Sequence, residues 1–143
     1  MPRRDGGRRE VSGELPQSGA TLAVVEPAKP AAVPLLRHSA QEFAAALGAA
    51  EELVSDVALA VSEAVTNVVK YAYAAGVDGS IELAGSVKRD RLEIWVRDRG
   101  TGFGKGSEDG LGLGLSIIAR LCEDMKIVQE GAGTEVRMRF RLA

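Results

Sequence analysis

Val61-Ser62-Glu63-Ala64-Val65-Thr66-Asn67-Val68-Val69-Lys70-Tyr71 is the stretch on which the reading of this chain turns. It lies in a run of helical periodicity, free of breakers from about Leu53 to Ala74, that starts near Glu51. Acids in that first turn suit the helix dipole. Leu53, Val57, Val61, Ala64, Val65 and Val68 recur at three- and four-residue steps, so one face is apolar. The opposite face carries Glu63, Thr66, Asn67, Lys70 and Tyr71, at spacings that put neighbours about 5–6 Å apart at Cβ. A carboxylate one turn before a carboxamide places two hard oxygen donors together, of the kind Mg²⁺ and its waters prefer. A solvated face of a core helix carries the same residue types, so this stretch does not decide the chemistry by itself.

Two later segments narrow it. Leu92-Glu93-Ile94-Trp95-Val96 alternates apolar and polar, then runs into Arg97-Asp98-Arg99-Gly100-Thr101-Gly102-Phe103. An ionised Asp98 at the end of a strand can accept from an exocyclic amine, and Gly100 and Gly102 let the backbone approach a flat ligand. An aspartate that merely starts a turn reads the same way. Further on, Gly110-Leu111-Gly112-Leu113-Gly114 abuts a helix expected from about Gly112 to Glu123, whose N-terminal amides and dipole favour phosphate. A dinucleotide fingerprint is excluded, because Leu115 stands where the third glycine belongs and the run is late in the chain. A P-loop is excluded because Gly104-Lys105 is followed by Gly106.

In this order the three segments resemble the GHKL ATPase superfamily, which includes gyrase and the histidine kinases. Glu63 to Asn67 matches its N box, Asp98-Arg99-Gly100-Thr101-Gly102 its first Gly box, and Gly110 to Gly114 its second. The Ser-Glu-Ala-Val-Thr-Asn wording and the small size look closest to the RsbW/SpoIIAB anti-sigma factor serine kinases. The resemblance covers roughly Val33 to Leu142.

It implies ATP and Mg²⁺ as cofactors, with Asn67 on the metal, Asp98 on the adenine amino group and Thr134 near adenine. It implies the second Gly box (Gly110, Gly112, Gly114) on the phosphates. Glu63 resembles the family's general base, which would accept a serine hydroxyl proton. Lys70 either neutralises phosphate or extends into solvent. Lys105 belongs to a lid expected over 103–110 and can pair with phosphate. Tyr71 departs from the pattern, since many anti-sigma relatives have His there.

The implied function is an anti-sigma factor and serine protein kinase that sequesters a sigma factor and phosphorylates a STAS-type anti-anti-sigma partner. The alternatives are an ATP-binding regulatory module without phosphotransfer, and a switch kinase that acts on a STAS protein without sigma binding. A homodimer paired through a face that includes the first strand is also implied. His38 lacks the motif of a phosphoacceptor histidine and reads as a partly exposed helix residue.

Composition sets the frame. The 143 residues suit one domain, with 45% hydrophobic and 27% charged residues. A net charge of −2 gives no electrostatic reason to expect nucleic acid. No apolar run is long enough to span a bilayer or form a signal-peptide core, which points to a cytoplasmic protein. Cys122 is the only cysteine, so no disulfide framework exists, and it reads as a small core residue within the last helix. Residues 1–18, with Arg3, Arg4, Arg8 and Arg9 among glycines and acids, read as a disordered tail before a domain over 19–143.

The expected elements are a strand at 19–25 and a helix from Ala32 to Leu47 with Leu35, Leu36, Phe43 and Leu47 inward. After the long helix come a hairpin of Ile81–Val87 with Arg91–Asp98, the glycine-led helix, and strands near Lys126–Gln129 and Thr134–Leu142. The β-α-α-β-β-α-β-β order is α+β: a two-layer sandwich with a mixed, mostly antiparallel sheet and helices on one face.

Overall fold

The computed structural model describes residues 21–100 and 108–142. The tail reading of residues 1–18 and the core of the expected lid lie outside them. The element order is β1 (Thr21–Pro27), α1 (Ala32–Ala46), α2 (Glu51–Asn67), a π-helical turn (Val68–Ala72), β2 (Ser80–Lys88), β3 (Arg91–Asp98), α3 (Glu108–Leu121), β4 (Asp124–Glu130) and β5 (Gly133–Arg141). This is the expected α+β order, with the π-helical turn added.

The strands form one sheet in the order β1-β2-β3-β5-β4. Every neighbouring pair is antiparallel, so the sheet is not mixed. Local chemistry accounts for the hairpins. Lys88 pairs with Arg91 across a two-residue turn, where Arg89 takes the positive φ of 59° that such a turn demands. Gly131 does the same between β4 and β5, at φ 58°.

Alternation divides the sheet. Leu92, Ile94, Val96 and Asp98 of β3 are buried, as are Val136, Met138 and Phe140 of β5. Leu36, Ala40 and Phe43 of α1, Val57, Val61, Ala64 and Val65 of α2, and Ile118 of α3 complete this core. Each such Val, Leu, Ile or Phe stabilises the fold by about 1.5–3 kcal/mol relative to exposure. Leu35, expected inward, is 50% exposed, because α1 turns its Leu36–Ala40–Phe43 stripe to the core. The other sheet face is polar: Arg97 lies 5.7 Å from the Trp95 ring centroid and pairs with Glu135 and Glu82.

Three boundaries move. The long helix is α-helical only to Asn67 and ends at Ala72 rather than Ala74. The last helix begins at Glu108, four residues before the expected Gly112, and stops at Leu121. Cys122 therefore sits just past the helix, half-buried, with its Sγ 3.2 Å from the Ile118 carbonyl oxygen.

Candidate functional site

The site is built where the C-terminal end of α2 meets α3 and the ends of β3 and β5. Asn67 is the last α-helical residue of α2 and is only 4% exposed. A solvated face does not account for that. Its amide Nδ2 is buried and has no hydrogen-bond partner. What covers it is α3: a Cβ on Gly114 would stand 3.1 Å from Asn67 Nδ2, 3.3 Å from Asn67 Oδ1 and 3.4 Å from Glu63 Oε1. The Glu63–Asn67 face of α2 thus looks at the backbone of α3, and glycine at 114 keeps that approach open. Glu63 itself is half-buried.

The π-helical turn carries the chain from Asn67 to the sheet. Its last residue, Ala72, is fully buried and presses on the end of β3. A Cβ on Gly100 would fall 1.8 Å from the Ala72 carbonyl oxygen, so only glycine fits there without displacement. Such wide turns inside helices recur at functional sites. Lys70, on the same turn, is exposed.

Asp98 closes β3 and is 5% exposed. Both readings of it hold at once. Its Oδ1 accepts the Gly100 N–H at 2.9 Å, which is the turn-starting role, while its Oδ2 is buried without a partner. Burial pushes the carboxyl above the usual aspartate range, and the backbone N–H groups of Gly100 and Thr134 pull the other way. Thr134 stands opposite Asp98 in the β3–β5 register, 3% exposed, with its hydroxyl also unpartnered. Asp98 and Thr134 border an open cleft of about 420 Å³ whose rim includes Arg97, Arg99, Gly133 and Glu135.

The unpartnered buried side-chain atoms among the described residues are therefore Asn67 Nδ2, Asp98 Oδ2 and Thr134 Oγ1. A buried polar atom without a partner costs about 1–3 kcal/mol. All of them belong to residues singled out in the sequence. This donor set fits a nucleotide: a carboxylate oxygen and a hydroxyl for a base edge, and a carboxamide for a metal-bound phosphate.

The second glycine run lies within a helix rather than ahead of one. With α3 starting at Glu108, only the first-turn amides, Gly110 among them, lack a partner within the helix. Gly112 and Gly114 lie inside it. Of the expected lid, 108–110 is helical, and the rest, with Gly102 and Lys105, lies outside the described residues.

His38 is exposed and sits 3.2 Å from Glu42, away from the core. Tyr73 was not singled out in the sequence, yet its hydroxyl bonds to the backbone of both Ser80 and Arg99. Its sequence signal is faint: a tyrosine six residues before the lone Gly79 it packs on.

Residues 26–140 match the family described as Histidine kinase-like ATPase domain. The chain is similar to the serine-protein kinase RsbW of Listeria innocua, with 34% identity over 130 residues, spanning 80% of this chain and 83% of that one. It is similar to the serine-protein kinase RsbW of Bacillus licheniformis, with 34% identity over 133 residues and 82% of each chain. Among solved structures, the RsbU and RsbW domains of Rv1364c from Mycobacterium tuberculosis superpose with a TM-score of 0.70 at 27% identity. That likeness covers 85% of this chain and 32% of the longer one.

Proposed function

The chain belongs to the histidine kinase-like ATPase domain family, with the RsbW serine-protein kinases among its relatives, and from that premise we propose that it is an ATP-dependent protein serine kinase. In this reading it is also an anti-sigma factor, which sequesters a sigma factor and phosphorylates a serine of a STAS-type anti-anti-sigma partner in the cytoplasm. The observation that carries it is the set of unpartnered buried atoms: Asn67 Nδ2 at the α2–α3 seam beside Glu63, and Asp98 Oδ2 and Thr134 Oγ1 facing each other across the β3–β5 register.

Each residue then has a task. Asp98 Oδ2 accepts from the adenine amino group, and the Thr134 hydroxyl bonds to the same edge. The Asn67 amide oxygen holds Mg²⁺, and its freed N–H group faces phosphate. Gly110 offers a first-turn amide to phosphate, and the exposed Lys70 adds positive charge beside it. Mg-ATP, when bound, supplies the phosphoryl group that is transferred. Glu63, on the same face of α2 one turn before Asn67, takes the proton from the attacking serine hydroxyl. Retention of that carboxylate favours the kinase over a module that only binds, because binding needs no base.

The test is transfer of radiolabelled phosphate to a STAS partner recovered by pull-down in the presence of ATP, with sigma-factor binding measured alongside. Glu63→Gln keeps ATP and partner binding and loses transfer by roughly 10²–10⁴-fold. Asn67→Ala weakens nucleotide binding and every activity that depends on it. Wild-type transfer rates in Glu63→Gln would remove the general base. A wild-type protein that binds ATP and a partner without transferring phosphate leaves the regulatory module as the function.

A further inference from the structure

The β2–β3 ladder stops one rung short. Its last pair is Ile81 with Asp98, so the next rung would join Ser80 to Arg99. A side chain occupies that place instead. The Tyr73 hydroxyl donates to the Ser80 carbonyl oxygen at 2.6 Å and accepts the Arg99 N–H at 2.9 Å and the Ser80 N–H at 3.3 Å. A phenolic oxygen has one donor and two acceptor lone pairs, so this hydroxyl is fully used. The ring is seated by Gly79, where a Cβ would lie 2.3 Å from the ring carbon that bears the hydroxyl. Tyr73 is the first residue after the π-helical turn, so the wedge is aimed by the same turn that sets Ala72 against Gly100.

The wedge acts on the residue between the two that matter. Arg99 separates Asp98, whose Oδ2 is unpartnered, from Gly100, whose N–H holds Asp98 Oδ1. Holding the Arg99 amide fixes the peptide plane between Asp98 and Arg99. We propose that Tyr73 is a positioning residue of the nucleotide site, whose hydroxyl ends the β2–β3 pairing after Asp98 and thereby aims the free carboxylate oxygen of Asp98 at the adenine. Without the hydroxyl, the Arg99 N–H loses its partner, the Asp98–Gly100 turn is released with it, and the Gly100 N–H leaves Oδ1. The inference rests on Asp98 being the adenine contact.

The experiment is a double-mutant cycle of Mg-ATP affinity by calorimetry on the full chain, with Tyr73→Phe, Asp98→Asn and the pair. Tyr73→Phe keeps the ring on Gly79 and a cooperative melt, yet loses about tenfold in ATP affinity. In the Asp98→Asn background it has no further effect, because it acts through that carboxylate. The acid limb of ATP binding also moves to higher pH in Tyr73→Phe, since Asp98 loses the N–H that favours its charged form. A filler role would leave that limb in place.

Gly79→Ala gives an independent variant, because it displaces the ring and keeps the hydroxyl; it reproduces the loss. Wild-type affinity in both Tyr73→Phe and Gly79→Ala, or full additivity with Asp98→Asn, overturns the proposal while leaving the site reading intact. Wild-type affinity in Asp98→Asn overturns both.

Discussion

At the residue scale, Asp98 gives one oxygen to a turn and keeps the other buried without a partner, and burial makes the carboxyl easier to protonate than an ordinary aspartate. Because the folded chain holds that proton more tightly than the unfolded one, stability falls as pH rises from the ordinary to the raised value. The proposed adenine contact has the opposite need, since only the charged form accepts from an amino group without a competing proton. ATP affinity of the wild type is therefore expected to fall on acidification at a higher pH than an ordinary aspartate dictates. Asp98→Asn should bind weakly at every pH. Calorimetry of both proteins over a pH series checks this, since their ratio cancels the titration of ATP itself. A constant ratio contradicts it. That Glu63, Asn67, Asp98 and Thr134 are singular positions was legible, because their residue types are unusual inside otherwise apolar elements or at a strand end. The burial of Asn67 was not. Helical periodicity places it opposite the apolar stripe, and its cover comes from α3, whose glycine-rich start reads as a loop.

At the element scale, the decisive feature is the passage from α-helix to π-helix after Asn67. Val68-Val69-Lys70-Tyr71-Ala72 carries no local signal for the wider turn. The turn ends in buried Ala72, whose carbonyl oxygen lies where a Cβ on Gly100 would stand. Lys70, on the same turn, is exposed, and its charge is free to reach a ligand or solvent. The hairpins, by contrast, were legible to within a residue or two, because turn residues and alternation are local signals. Gly100→Ala tests the packing. Its Cβ would meet a backbone carbonyl that cannot rotate away, so a loss of about 1–3 kcal/mol is expected from overpacking. Urea unfolding reads it as a lower midpoint at unchanged slope. A midpoint equal to wild type would mean that the two segments are not held together.

At the scale of the whole molecule, the α+β architecture was legible from element order alone. The all-antiparallel pairing was not, because strand order and direction depend on which strands meet across the helices. The sheet has two edges, β1 and β4. β1 turns Val25 outward at 63% exposure, beside its own unpaired backbone edge. If copies of the chain pair through this strand, Val25→Asp converts a dimer to a monomer without altering the far-ultraviolet circular dichroism. Sedimentation velocity distinguishes the two, and an unchanged dimer would move the interface elsewhere.

The pairing of β1 with β2 also dictates an order of events at the ribosome. β1 is the first described element to be made, yet the element that follows it is helical, and its partner, Ser80–Lys88, emerges only after α1, α2 and the π-helical turn. Contacts this far apart in sequence form slowly, whereas the two hairpins close locally. β1 is thus made well before the strand that it pairs with. Until β2 arrives it is a nascent, unpaired β-segment, with Glu26 and Pro27 at its end as the groups that discourage a wrong partner.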